Sequence, residues 1–117
     1  MITEDYCSFE VAKLLKEKGF DGVVSAHYNN LGGMVMGANP ISKNTVKCPT
    51  LQMAIAWILE KYNISIEVSV LKQNCWVYTI YKIFDNKVEE LYNDGEFKSR
   101  EQAVEAALKY CLENIIK

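Results

Sequence analysis

The spacing of apolar positions passes from a helical period to that of strands and back between Thr50 and Lys117, and turn signals divide the middle part into three strands. Leu51, Ala54, Ile55, Ile58, Leu59 and Tyr62 recur at three and four residues, the period of one helix face. Thr50 is placed to cap its start, and Asn63 to end it in the left-handed conformation. Met53, Ala56 and Trp57 widen the apolar surface beyond one stripe, so this helix is expected to be central or covered by a partner. Ile64, Ile66, Val68 and Val70 then alternate with Ser65, Glu67, Ser69 and Leu71, a strand with one buried face. Lys72 to Cys75 reads as a hairpin connection. Trp76 to Phe84 is β-branched and aromatic on both faces, which predicts the central strand. Asp85-Asn86-Lys87 is the next turn. Val88 to Tyr92 is shorter and charged, an edge strand ended by Asp94-Gly95. Ser99-Arg100-Glu101-Gln102 fits the S-x-x-Q capping box, in which Ser99 and Gln102 satisfy each other's backbone donors. Val104, Ala107, Leu108, Cys111, Leu112 and Ile115 form the buried stripe of the helix that follows.

The first half is patterned less clearly. A helix is predicted from Phe9 to Lys18, with Ser8 as its cap and Glu10 in the first turn, where a negative charge suits the dipole. Val11, Ala12, Leu14 and Leu15 are its apolar side. Gly19 stops it, and Phe20 folds back onto Leu15. Val23, Val24, Ala26 and Tyr28 suggest a short strand, Asn29 to Gly33 a turn, and Met34-Val35-Met36 a returning strand. Gly37 to Lys47 reads as loop, with a turn at Asn39-Pro40. The expected fold is α+β in a single domain over 1–117. An N-terminal helix (1–21) and a weak hairpin and loop (22–48) precede an α-β-β-β-α unit (49–117). The sheet is three- or four-stranded and antiparallel, with the second and third helices on one face and the first packed nearby.

Composition agrees with one globular unit: 117 residues, half of them hydrophobic and 24% charged, enough to bury roughly 65% of the unfolded surface. Thirteen basic residues against fifteen acidic ones, with Arg100 the one arginine, supply no basic face of the kind that nucleic-acid binders carry. The start MITEDYCSFE lacks a basic region and an apolar region, so it is not a secretory signal. No run approaches the ~20 apolar residues of a membrane span. A soluble, cytoplasmic chain with no membrane partner is expected. Cys7, Cys48, Cys75 and Cys111 form no C-x-x-C pair and are expected to be free thiols in a reducing compartment.

Chemistry-bearing patterns are sparse. His27 is the single histidine, and a histidine metal site needs several ligands. There is no G-x-S-x-G elbow. Gly32, Gly33 and Gly37 match neither a P-loop nor G-x-G-x-x-G. Glu4-Asp5 and Glu89-Glu90 read as solvated charge, and as strand neighbours Glu89 and Glu90 point to opposite faces and form no acid/base couple. No enzyme activity, metal or cofactor is expected; an enzyme using His27 with a cysteine or carboxylate is the least favoured alternative. Aromatics are the suggestive feature, since Tyr and Trp on a sheet build cores, anchor proteins or stack bases. Trp76 and Tyr78 share a parity and Tyr81 does not, so both faces carry rings. The face with Val77, Tyr81, Ile83 and nearby Leu71 exceeds what two helices on the other side can cover. The first helix or a second subunit is expected over it, as in an isologous dimer. The candidate contact residues are therefore Leu71, Val77, Tyr81 and Ile83 on the sheet, Trp57 on the wide apolar surface of the second helix, and Tyr28, Asn29 and Asn30 at the start of the Gly-rich turn. The expected function is that of a non-enzymatic accessory protein acting on a protein partner or on itself as a homodimer. The alternative is a nucleic-acid-binding module with Lys72, Lys98, Arg100 and Lys109 as contacts.

The runs SFEVAKLLKEKGFD, CPTLQMAIAWILEKYNI and AVEAALKYCLENIIK resemble a group of small proteins encoded by phages and mobile elements of gut bacteria. That resemblance implies phage or prophage origin and transfers no functional residue. The α-β-β-β-α order of residues 51–115 is similar to the topology of the double-stranded RNA-binding domain, whose final helix starts with a basic cluster. Here Lys98 and Arg100 are diluted by Glu101, Glu105 and Glu113, and nucleic acid is not the expected partner.

Overall fold

A computed structural model describes residues 5–29, 31–36 and 45–116. In chain order the elements are α1 (Phe9–Glu17), β1 (Ala26–Tyr28), β2 (Met34–Met36), β3 (Val46–Lys47), α2 (Leu51–Tyr62), β4 (Ile64–Lys72), β5 (Cys75–Ile83), β6 (Val88–Phe97) and α3 (Arg100–Tyr110), the last prolonged by a π-helical turn over Cys111–Ile115. The fold is α+β, with the α-β-β-β-α unit in the expected order. The strands form two antiparallel sheets of three, ordered β2-β1-β3 and β4-β5-β6. β3 corrects the expectation of a loop up to Lys47. Two residues carry no readable period; Val46 and Lys47 are strand because they pair with Tyr28 and His27.

Local chemistry places the helices. Ser8 Oγ accepts the Val11 N–H at 3.2 Å. At the other end of α1, Phe20 N–H reaches Leu15 O (3.0 Å) and Gly19 N–H reaches Lys16 O (3.1 Å), a complete Schellman motif made possible by Gly19 at φ +86°. Thr50 Oγ1 caps α2 through Met53 N–H, and Asn63 ends it at φ 56°. The capping box of α3 is formed differently from the sequence expectation. Ser99 Oγ accepts from Gln102 N–H, but Gln102 Oε1 accepts from Lys98 N–H rather than Ser99 N–H. The end of the α3 stripe also moves by one residue. Ile116 is buried and Ile115 only half-buried, because the π turn bonds Ile116 N–H to Cys111 O at 2.9 Å and so adds a residue to the last turn.

β4 and β5 pair as Ile66↔Ile80 and close at Lys72↔Cys75 over Gln73-Asn74, with Asn74 at φ 58° as a two-residue hairpin requires. β6 runs to Phe97 and does not end at Asp94-Gly95. Two register shifts carry it through: Leu91 is extra between the Ile80↔Tyr92 and Tyr81↔Glu90 pairs, and Gly95-Glu96 lie opposite Val77. These are β-bulges, and Glu96 adopts φ 70° in the second.

α2 and α3 cover one face of the β4-β5-β6 sheet. Ile64, Ile66, Tyr78 and Ile80 meet Leu51, Ala54, Ile58, Val104, Ala107, Leu108 and Leu112 there, with Val11 and Leu15 of α1 in the same core. Ala12, on the other side of α1, packs with Ala26, Tyr28, Val46 and Cys48 of the small sheet. α1 is thus the joint between the two sheets. Among the described residues, no helix is long and apolar enough to cross a membrane.

Candidate interaction surface

The other face of the large sheet follows from parity. Tyr78 and Ile80 point into the core, so Val77, Thr79, Tyr81 and Ile83 point away from it. Ser69, Glu67 and Ser65 of β4 stand opposite Val77, Thr79 and Tyr81. On the β6 side Asn93, Glu90 and Val88 stand opposite Thr79, Tyr81 and Ile83. Val77 and Tyr81 are half-buried, while Ile83, Val88 and Leu71 are exposed, Leu71 by 70%. Leu71 sits at the register shift closing the β4-β5 hairpin. The three apolar residues expected to share a face do share it. The expectation that the first helix covers it does not hold among the described residues: α1 packs against α3 and β3 instead. The reason lies in its sequence, since Val11 and Leu15 on one side and Ala12 on the other are both used up in cores. Glu67 and Glu90 give the open face acidic character, and Asn93 Nδ2 holds Glu90 Oε2 at 2.9 Å.

The two edges of this sheet differ. Ile83 N–H donates to Asn63 O at 2.8 Å, which sets the phase of the ladder: Asn63, Ser65, Glu67 and Ser69 direct their backbone groups to β5. Ile64, Ile66, Val68 and Val70 therefore direct theirs outward. From Ile64 to Val70 the β4 edge is regular and carries one charge, Glu67. The β6 edge is broken by both bulges and bears Glu89, Glu90, Asp94 and Glu96, the usual protection of an edge against pairing.

The remaining candidate residues lie elsewhere. The Trp57 ring contacts Phe20 and Tyr62 edge-on at 5.3 and 5.7 Å between centroids, and its Nε1–H donates to Asp21 Oδ1 at 3.0 Å. Lys61 Nζ lies 5.0 Å over it. Trp57 thus ties α2 to the exit of α1 and is not on the sheet face. Tyr28 is buried, and its hydroxyl donates to Cys7 O at 2.5 Å. Asn29 builds the turn, its Oδ1 accepting from Leu31 N–H (2.9 Å) and Gly33 N–H (2.8 Å). Asn30 lies outside the described residues. His27 is 4% exposed in β1, at the centre of the small sheet. All four thiols are free, three of them buried. Burial pushes the Cys7 thiol well up, the Cys48 thiol up and Cys111 up to about 12, so they stay protonated and are weak nucleophiles. A shallow cleft of about 630 Å³ runs between Val23–Ser25 and the first turns of α2, at Thr50, Met53 and Ala56. Every side chain lining it is uncharged. Among the described residues, no three His, Cys, Asp or Glu side chains converge as a metal site.

Two carboxylates join α1 to α3. Glu10 and Lys109 pair at 2.8 Å on the surface, and the ammonium holds the Glu10 carboxyl below its usual range. Glu105 accepts from Ser8 N–H (2.6 Å) and Ser8 Oγ (3.0 Å), yet burial outweighs these bonds and raises its pKa. A folded-state pKa raised above the unfolded one gives stability that is fully present below the unfolded value and lost as pH rises through the folded value. Glu105→Gln lacks that titration. Urea unfolding from about pH 7 down to about pH 4 should therefore show wild type gaining on Glu105→Gln as pH falls. A gap that stays constant or narrows would refute this assignment. Comparison of the chain with protein-family models, with curated proteins and with solved structures finds no match.

Proposed function

We propose that the chain is a non-enzymatic accessory protein that binds protein, a foreign partner or a second copy of itself, through the β4-β5-β6 sheet. The observation that carries this reading is the open outer face, where half-buried Tyr81 and Val77 sit among Ile83, Val88 and Leu71 with no element over them among the described residues. Aromatic and aliphatic side chains rimmed by polar groups are the usual make-up of a protein contact. Glu67 and Glu90 on the same face suit a partner segment that carries basic as well as apolar side chains. The buried, protonated thiols and the absence of charge in the cleft argue for binding rather than catalysis. An origin in a phage or mobile element, expected from residues 8–21, 48–64 and 103–117, is part of the same proposal and carries no mechanism. Against the nucleic-acid alternative stand the acidic outer face and the engagement of Lys109 by Glu10.

A photo-crosslinking amino acid at Tyr81 tests the reading, with exposed Glu17 as the control position. Irradiation in expressing cells should give a discrete adduct from position 81 and none from position 17. Identical backgrounds at the two positions would contradict it.

A further inference from the structure

We infer that two copies of this chain pair through the β4 edge, antiparallel about a two-fold axis at Val68, and join their sheets into one of six strands. The inference deepens the reading above by naming a second copy as the occupant of the edge, and it rests on that reading for the choice of sheet. The ladder phase fixed by Ile83 N–H and Asn63 O leaves the N–H and C=O groups of Ile64, Ile66, Val68 and Val70 aimed outward. Two such edges are complementary when outward-facing residues stand opposite one another. Three registers satisfy that condition near the middle of the strand, centred on Glu67, Val68 or Ser69.

Side chains separate the three. Centring on Glu67 sets Glu67 against its own copy in a close, non-hydrogen-bonded pair, which like charges disfavour. Centring on Ser69 leaves only Val68 to Val70 within the regular stretch, because the register shifts between Val70 and Lys72, and it sets Lys72 opposite Ile66. Centring on Val68 keeps Ile66 to Val70 regular. It stands Val70 opposite the copy's Ile66 and Glu67 opposite Ser69. Val70, on the inner side of the sheet and 52% exposed, then gains an apolar neighbour. The β6 edge, with two bulges and four carboxylates, is blocked from the same association. The two outer faces become continuous, which doubles the surface centred on Tyr81. Five residues of edge pairing make a small interface, below the ~1,200 Å² of a tight complex, so the dimer is concentration-dependent.

Single cysteines introduced at Val68 and Ser69, each with half-buried Cys75 replaced by Ser and Glu67 kept, read the register under a mild disulfide-exchange oxidant (oxidised glutathione). In a hydrogen-bonded antiparallel pair the Cα atoms stand about 5.5 Å apart, within disulfide geometry. Val68→Cys should cross-link about tenfold faster than Ser69→Cys, whose copies lie two residues out of line. Cross-linking of Ser69→Cys as fast or faster, or slow cross-linking at both positions with light scattering giving a dimer mass, would overturn the Val68 register. Slow, equal cross-linking at both, with light scattering giving the monomer mass at the highest concentration, would overturn the edge dimer. If the Tyr81 photo-adduct to a foreign protein survives in that case, the edge has failed and the face reading stands. Fast cross-linking at Val68 with no adduct at Tyr81 supports the edge dimer and refutes the open face.

Discussion

Leu108→Ala lowers the unfolding free energy by about 3 kcal/mol. Leu108 is fully buried on α3, the helix that touches α1, α2 and all three strands of the large sheet. Truncation loses the transfer of its methyl and methylene groups from water. It also opens a void that none of these elements can close without moving the others. For a domain of this size the loss corresponds to a fall in melting temperature of roughly 12 °C. Urea unfolding, followed by tryptophan fluorescence from Trp57 and Trp76, measures it. A loss under about 1 kcal/mol would mean that α3 is not the keystone of the packing.

Gly95→Ala should cost about 2 kcal/mol by overpacking. A Cβ at Gly95 would lie 2.7 Å from Val77 Cγ1 and 3.6 Å from Val77 Cβ. Valine is stiff about χ1, so the contact is relieved only by moving the bulge or the strand. The pair is also where β6 bends across the open face, so Gly95 shapes the proposed contact surface as well as the fold. Val77→Ala removes the obstructing methyl groups. In a double-mutant cycle the Gly95→Ala penalty should shrink by about 1 kcal/mol or more in the Val77→Ala background. Strict additivity would show that the bulge absorbs the extra carbon without strain.

How far the fold was legible follows from how local each signal is. Ser8, Gly19, Thr50, Asn63 and Ser99 act within one helical turn, and all five cap or end the helices expected of them. The alternation of β4 and the apolar run of β5 gave the sheet faces correctly, and with them the grouping of Val77, Tyr81 and Ile83. What depended on remote partners was not legible. Val46-Lys47 is strand only because β1 lies beside it. β6 passes Asp94-Gly95 only because bulges opposite Ile80 and Val77 absorb the extra residues. Trp57, expected in the surplus apolar surface of α2, is held by Phe20 and Asp21 from a segment some 36 residues away. The π turn that exchanges Ile115 for Ile116 leaves no mark on the apolar spacing. The outward-facing groups of the β4 edge were the least legible of all, because their phase follows from the pairing with β5, shown by the backbone bond between Asn63 and Ile83.

Amide hydrogen exchange along β4, read residue by residue at low and high protein concentration, tests most directly whether this sheet is the working surface. Ser65, Glu67 and Ser69, whose amides face β5, should exchange slowly at both concentrations. Ile66, Val68 and Val70, whose amides face outward, should exchange fast when dilute and slow when concentrated. Fast exchange of these three at every concentration would contradict pairing along the β4 edge.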